Sequence, residues 1–216
     1  MRFGNARTAI AFDKATERHM IIDPNDVSIG AVYESMVALI TPRPIAWVST
    51  LSADGIANLA PYSFFGGVGA NPPTVMFCPV NRLDGTPKDT LANVRANGQF
   101  VVNVVTEEFA ETMKQSAADV RPDEDEFVLT GLQKAPSVKV EVPRVADVVA
   151  AMECEMLTSM QLGPGRGGAN LVVGRIVSFY VADSVVGKNG LPDPEQIFTI
   201  GRMGGPRYTR TRDRFE

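Results

Sequence analysis

A chain of 216 residues, 44% hydrophobic and 21% charged, can bury a sizeable core as one large domain or two small ones and has a globular composition. Its formal net charge of −4 gives no electrostatic ground for nucleic acid or an anionic membrane as partner, so a phosphate site has to be local, built from a few basic groups and backbone amides. The two cysteines, Cys78 and Cys154, lie far apart in apolar runs, which argues against a disulfide framework and fits buried free thiols in a reducing cytoplasm.

The N-terminal segment has too short an apolar run for a signal peptide, and no stretch reaches the roughly 18 apolar residues of a membrane span. Residues 1–27 show no clear hydrophobic period. The single histidine, His19, stands there without ligand partners in sequence, and a zinc site or a Ser-His-Asp triad would rest wholly on it. Asp23-Pro24-Asn25-Asp26 predicts a turn, and Ser28 is placed to cap a short helix through Ile40 that Thr41-Pro42 ends.

Residues 41–65, TPRPIAWVSTLSADGIANLAPYSFF, predict a hairpin. Along 44–51, Ile45, Trp47, Ser49 and Leu51 point one way and Ala46, Val48 and Thr50 the other. Ser52-Ala53-Asp54-Gly55 is turn chemistry, with Gly55 free to take positive φ. Residues 56–62 run back, leaving Ser49, Thr50, Asn58, Tyr62 and Ser63 near the polar ends, a set suited to a flat hydrogen-bonding ligand more than to a metal. Residues 66–73 read as a loop and 74–80 as a short buried strand.

The stretch 81–90, NRLDGTPKDT, leads into a helix that stops at Asn97-Gly98, with Asp89 or Thr90 as its expected N-cap. A helix start with free amides, a hydroxyl and a lysine suits an anion, as it also suits an ordinary capped helix; Arg82 adds a second cation nearby. Asp89 argues against a ligand as charged as a triphosphate. Residues 99–105 predict a strand, 107–118 an amphipathic helix, and 119–126 (DVRPDEDE) a solvated acidic loop. Residues 134–145 hold two prolines and turn-like breaks. In 149–157, Ala150, Met152, Cys154 and Met156 are expected inward, with Glu153 and Glu155 toward water. Gly163 to Gly168 matches the dinucleotide-binding glycine pattern, but the β-rich run after it makes it a hairpin loop, with a long strand over 171–181. No repeat or domain boundary is readable. No residue stands out as acid, base or nucleophile, so a reaction here would borrow its chemistry from a cofactor.

Many strands and few helices favour a closed or partly closed antiparallel barrel. The ordered series Thr41-Pro42-Arg43-Pro44-Ile45-Ala46-Trp47-Val48-Ser49-Thr50, Gly55, Asn58 to Phe65, Pro72-Pro73, Lys88-Asp89-Thr90 with Asn93, and Phe100 to Asn103 resembles the flavin reductase-like, FMN-binding split-barrel family. Gly174-Arg175-Ile176-Val177 resembles its late strand, and Gly201-Arg202-Met203-Gly204-Gly205 with Tyr208 its closing element. The histidine that many relatives carry there is absent. The resemblance implies one mainly β domain over 1–216, an antiparallel, Greek-key-like split barrel with N- and C-terminal extensions, forming a homodimer with FMN at the interface. Trp47, Val48, Ser49 and Thr50 would then line the flavin ring; Ala60, Pro61, Tyr62 and Ser63 would bracket the ribityl chain and phosphate; Arg82, Lys88, Asp89 and Thr90 would complete the phosphate pocket. The implied activity is an FMN-dependent oxidoreductase taking hydride from NADH or NADPH in the cytoplasm. Electrons would pass to free flavin, a partner monooxygenase or an electron-transfer protein. The alternative is a tightly bound flavoprotein that carries electrons without turning over nicotinamide.

Overall fold

The structure, a computed structural model, describes residues 20–216 in two units, 20–41 with Met203–Arg207 and Pro42–Arg202 with Tyr208–Glu216. His19 lies outside the described residues. In the first unit Ser28 caps α1 (Ile29–Leu39), its Oγ accepting the Ala31 N–H at 3.2 Å. There the 203–207 segment meets the end of the helix, where Thr41 Oγ1 donates to Met203 Sδ.

The second unit holds β1 (Ala46–Leu51), β2 (Ala57–Tyr62), β3 (Phe65–Ala70), β4 (Pro73–Phe77), α2 (Asp89–Asn97), β5 (Gln99–Val104), α3 (Ala110–Gln115), α4 (Glu126–Thr130), β6 (Lys134–Ala135), β7 (Arg144–Val145), β8 (Ala150–Gln161), β9 (Asn170–Val181), β10 (Ile200–Arg202) and β11 (Tyr208–Arg210). Seven strands make one antiparallel sheet in the order β2-β1-β5-β8-β9-β4-β3. Its outermost strands, β2 and β3, are consecutive in the chain, with only Ser63 and Phe64 between them. A sheet whose two edges are joined by so short a link has to roll up. The roll is sealed inside by side chains: the Tyr62 ring of β2 lies 5.3 Å from Phe77 of β4, which lies 5.3 Å from Phe100 of β5.

The alternation along β1 sorts the core into two. Ala46 and Val48 point into the barrel with Tyr62, Phe77, Phe100, Val102, Cys154 and Val172, and Leu91 and Val94 of α2 join that cluster. Ile45 and Trp47 point outward, beneath Met113, Phe127, Val142, Val145 and Val148 from the chain between β5 and β8. Both faces of β1 are therefore buried. Helix α2 ends on Gly98, whose φ of 73° and N–H to Val94 O let the chain turn at once into β5.

Several local expectations are corrected. Residues 65–70 form a strand, because pairing with β4 needs only the backbone that Gly66, Gly67 and Gly69 supply. The helix expected over 107–118 is a 3-10 turn, Glu107–Phe109, followed by the shorter α3. The cap of α2 is Lys88, whose side chain makes no capping bond. Glu153 does not face water: it is 1% exposed, and its carboxylate accepts the N–H groups of Val138 (2.9 Å) and Lys139 (2.6 Å), because the 137–142 segment covers that face of β8. Glu155 stays at the surface, paired with Arg175.

Candidate functional site

A cavity of about 70 Å³ opens where the edge of β2, the start of α2 and the segment 116–126 meet. Ala60, Pro61 and Tyr62 form one wall and Lys88, Asp89 and Thr90 another; Arg82 closes a side, and Asn58, Ser116, Asp119 and Glu126 complete it. The wall is tied together from within. Asn58 Nδ2 donates to Thr90 Oγ1 at 2.8 Å, fixing the first turn of α2 on β2. Arg82 donates to Asp89 (2.5 Å), the Pro87 carbonyl (2.7 Å) and Asp119 (3.2 Å). Burial works against its charge, but the bonds to the two aspartates outweigh this and hold the guanidinium above its ordinary value.

Three features aim the cavity at an anion. The N-cap of α2 is a lysine, which has no acceptor for the first-turn amides, so these are left to an outside partner. The Lys88 ammonium stands 4.0 Å from Asp119, held by a weak contact only. The Tyr62 hydroxyl is buried next to Thr90, yet makes no hydrogen bond of normal geometry among the described residues. Burial also pushes its ionisation well above the ordinary value, so it remains a donor. A buried donor without an acceptor is costly, and a bound oxyanion would relieve that cost.

Glu126, placed by the sequence in a solvated loop, is the surprise of the site. It opens α4, which Asp125 caps by accepting the Phe127 N–H at 2.9 Å. Its own side chain turns inward to accept the Leu59 N–H at 3.0 Å and is 5% exposed. Burial pushes the carboxyl up to about 7, against the pull of backbone N–H groups, and the charges of Asp89 and Asp125 add to the rise.

Other residues expected at the site lie behind this wall. Trp47 is fully buried and donates from Nε1 to Ser116 Oγ at 2.9 Å. Val48 is in the barrel core. Ser49 donates to the Pro143 carbonyl at 2.6 Å, and Thr50 accepts from Asn93. Ser63 Oγ accepts from Arg43 Nε at 3.2 Å. None of these five side chains lines the cavity. A second hollow, about 400 Å³ and mostly apolar, is lined by Pro44, Ile45, Phe65, Val104, Met152 and Ile200 among others; it begins three residues beyond Tyr62.

Residues 38–194 match the model of the flavin reductase like domain. The chain belongs to the flavin reductase-like family. An uncharacterized protein of Deinococcus radiodurans is 38% identical over 205 residues, covering 92% of this chain and 88% of that one. Among solved structures, nitrilotriacetate monooxygenase component B from Bacillus cereus is 32% identical with a TM-score of 0.87, over 93% of this chain and all of that one. The 2-nitrobenzoate 2-nitroreductase of Pseudomonas fluorescens is 31% identical with a TM-score of 0.82, over 91% and 94% of the two chains. The rolled sheet is the split barrel of the flavin reductase-like fold, and the cavity and apolar hollow lie within its matched span, apart from the last residues of the hollow.

Proposed function

We propose that this flavin reductase-like protein is an FMN-dependent oxidoreductase that accepts hydride from NADH or NADPH and passes electrons to free flavin or a partner protein. The observation that carries the FMN assignment is the orphaned Tyr62 hydroxyl in a small cavity beside the uncapped start of α2. A cavity of about 70 Å³ is too small for a flavin ring and fits a phosphate head group. Lys88, Thr90, Tyr62 and the first amides of α2 would hold the phosphate, while Arg82 keeps the loop and helix in place. Ala60 and Pro61 would guide the ribityl chain. The apolar hollow past Phe65 has room for the ring, with Trp47 to Thr50 stiffening the sheet behind it.

When bound, FMN supplies a two-electron acceptor that takes hydride at N5; the chain supplies binding, orientation and exclusion of water. We further read the protein as a homodimer with FMN at the interface. In the first unit, Ile29, Tyr33 and Met36 form an exposed stripe at helical spacing on α1, a surface a second copy would cover. A monooxygenase as electron acceptor is the role that the name of the Bacillus cereus relative suggests for this chain.

The phosphate assignment is tested with Lys88→Ala combined with Thr90→Ala. Losing two contacts to a charged group should weaken FMN binding roughly tenfold to a hundredfold, while riboflavin, which lacks the phosphate, binds as before. Unchanged FMN affinity would sink the assignment.

A further inference from the structure

The cavity that would take the phosphate also contains a carboxyl group, and that pairing needs an explanation. Glu126 reaches it from α4, held at one oxygen by the Leu59 N–H of the outer sheet edge. An ionised carboxylate and a phosphate in so small a space repel each other, whereas a protonated carboxyl presents an O–H that a phosphate oxygen accepts. The groups around Glu126 determine which form is present. From the first turn of α2 comes Asp89, from its N-cap Lys88, and from the loop before it Arg82; from the segment leading into α4 come Asp119 and Asp125. Arg82 is shared between Asp89 and Asp119, and Asp125 is paired with Lys134 of β6, so neither cation is committed to Glu126. Tyr62 of β2 stays protonated and therefore adds no negative charge beside Glu126.

We propose that Glu126 is the proton-coupled binding residue of this pocket: a phosphate monoester enters together with one proton, taken from solvent and held on the Glu126 carboxyl. The inference rests on the reading that the cavity receives the phosphate of FMN. The balance is simple. The free pocket with ionised Glu126, one phosphate dianion and one solvent proton give an occupied pocket with neutral Glu126, and no bond other than O–H is made or broken. Linkage makes the effect reciprocal: the anion raises proton affinity at Glu126, and the proton raises anion affinity in the pocket. Near neutral pH the empty pocket holds Glu126 close to half-ionised, since its carboxyl sits at about 7.

The test is FMN affinity from pH 7.5 to 9 for the wild type and Glu126→Gln. A phosphate monoester has its second ionisation near pH 6, so FMN itself does not change charge in this window. Wild-type affinity should fall about tenfold per pH unit, the limiting slope for one coupled proton. Glu126→Gln keeps an acceptor for Leu59 and should bind with an affinity nearly independent of pH, exceeding the wild type at pH 9. Calorimetry at pH 8 in two buffers of different ionisation enthalpy should count about one proton taken up per FMN by the wild type. Parallel pH profiles, or no proton uptake, overturn the proposal while leaving FMN binding in place. If the glutamine variant fails to fold, the wild-type proton count decides alone. If FMN binds at no pH while riboflavin does, the phosphate reading falls and takes this proposal with it.

Discussion

Ser116 shows how single atoms support the site from behind. Its hydroxyl accepts the Trp47 indole N–H and donates to the Met113 carbonyl, in a fully buried position. Ser116→Ala leaves the indole N–H without a partner, and we expect a loss of about 1–3 kcal/mol in urea unfolding. Because Ser116 also lines the cavity, FMN affinity should fall with it; a variant as stable as wild type would refute the buried bond. Glu126 carries a second residue-scale consequence. Its carboxyl is raised from an ordinary 4.5 to about 7, so the folded state binds the extra proton between those values. The stability it contributes is present below pH 4.5 and lost as pH rises through about 7. Glu126→Gln should therefore flatten the dependence of Tm on pH between 5 and 8, and an unchanged slope would contradict that. The sequence could not have shown this, since DVRPDEDE looks alike at every acidic position, and only the fold selects Glu126 for burial.

At the scale of elements, β9 packs tightly against β5. A Cβ on Gly174 would stand 2.3 Å from Phe100 Cζ, and the Phe100 ring is itself fixed against Phe77. Gly174→Ala should cost about 1–3 kcal/mol or more by overpacking, read as a lower Tm; a neutral effect would mean the ring has room to move. Asn103 ties β5 to its neighbours: its amide donates to Trp47 O and Ser49 Oγ and accepts the Val145 N–H. Where an element's own residues carried the signal, it was legible. The hairpin of β1 and β2 was plain from alternation and the Asp54-Gly55 turn, and the β8–β9 loop from the β-rich run Leu171-Val172-Val173 after its glycines. Strand β3 was not, because glycine lacks strand propensity and only the partner β4 gives it order. Glu153 was missed for a related reason: a period-two pattern marks alternate faces, but a loop crossing the sheet buries both.

For the whole molecule, the decisive property is a sheet whose edges are consecutive strands, so that β2 and β3 bring the polar cavity and the apolar hollow within a few residues of each other. Sequence motifs announced the seven cavity residues from Ala60 to Thr90 because they fall in two short runs and one arginine. They could not announce Asn58's hold on Thr90, Ser116 or Glu126, which arrive by folding from far along the chain. On the proposed reading, this flavin reductase-like barrel would hold the FMN phosphate in the cavity and serve nicotinamide-driven flavin reduction. The most direct measurement is the visible spectrum of the protein mixed with FMN, followed anaerobically as NADH and then NADPH are added. Flavin bands should appear on the protein and bleach with at least one donor. A protein that takes up no FMN, or a bound flavin that neither donor bleaches, would contradict this reading.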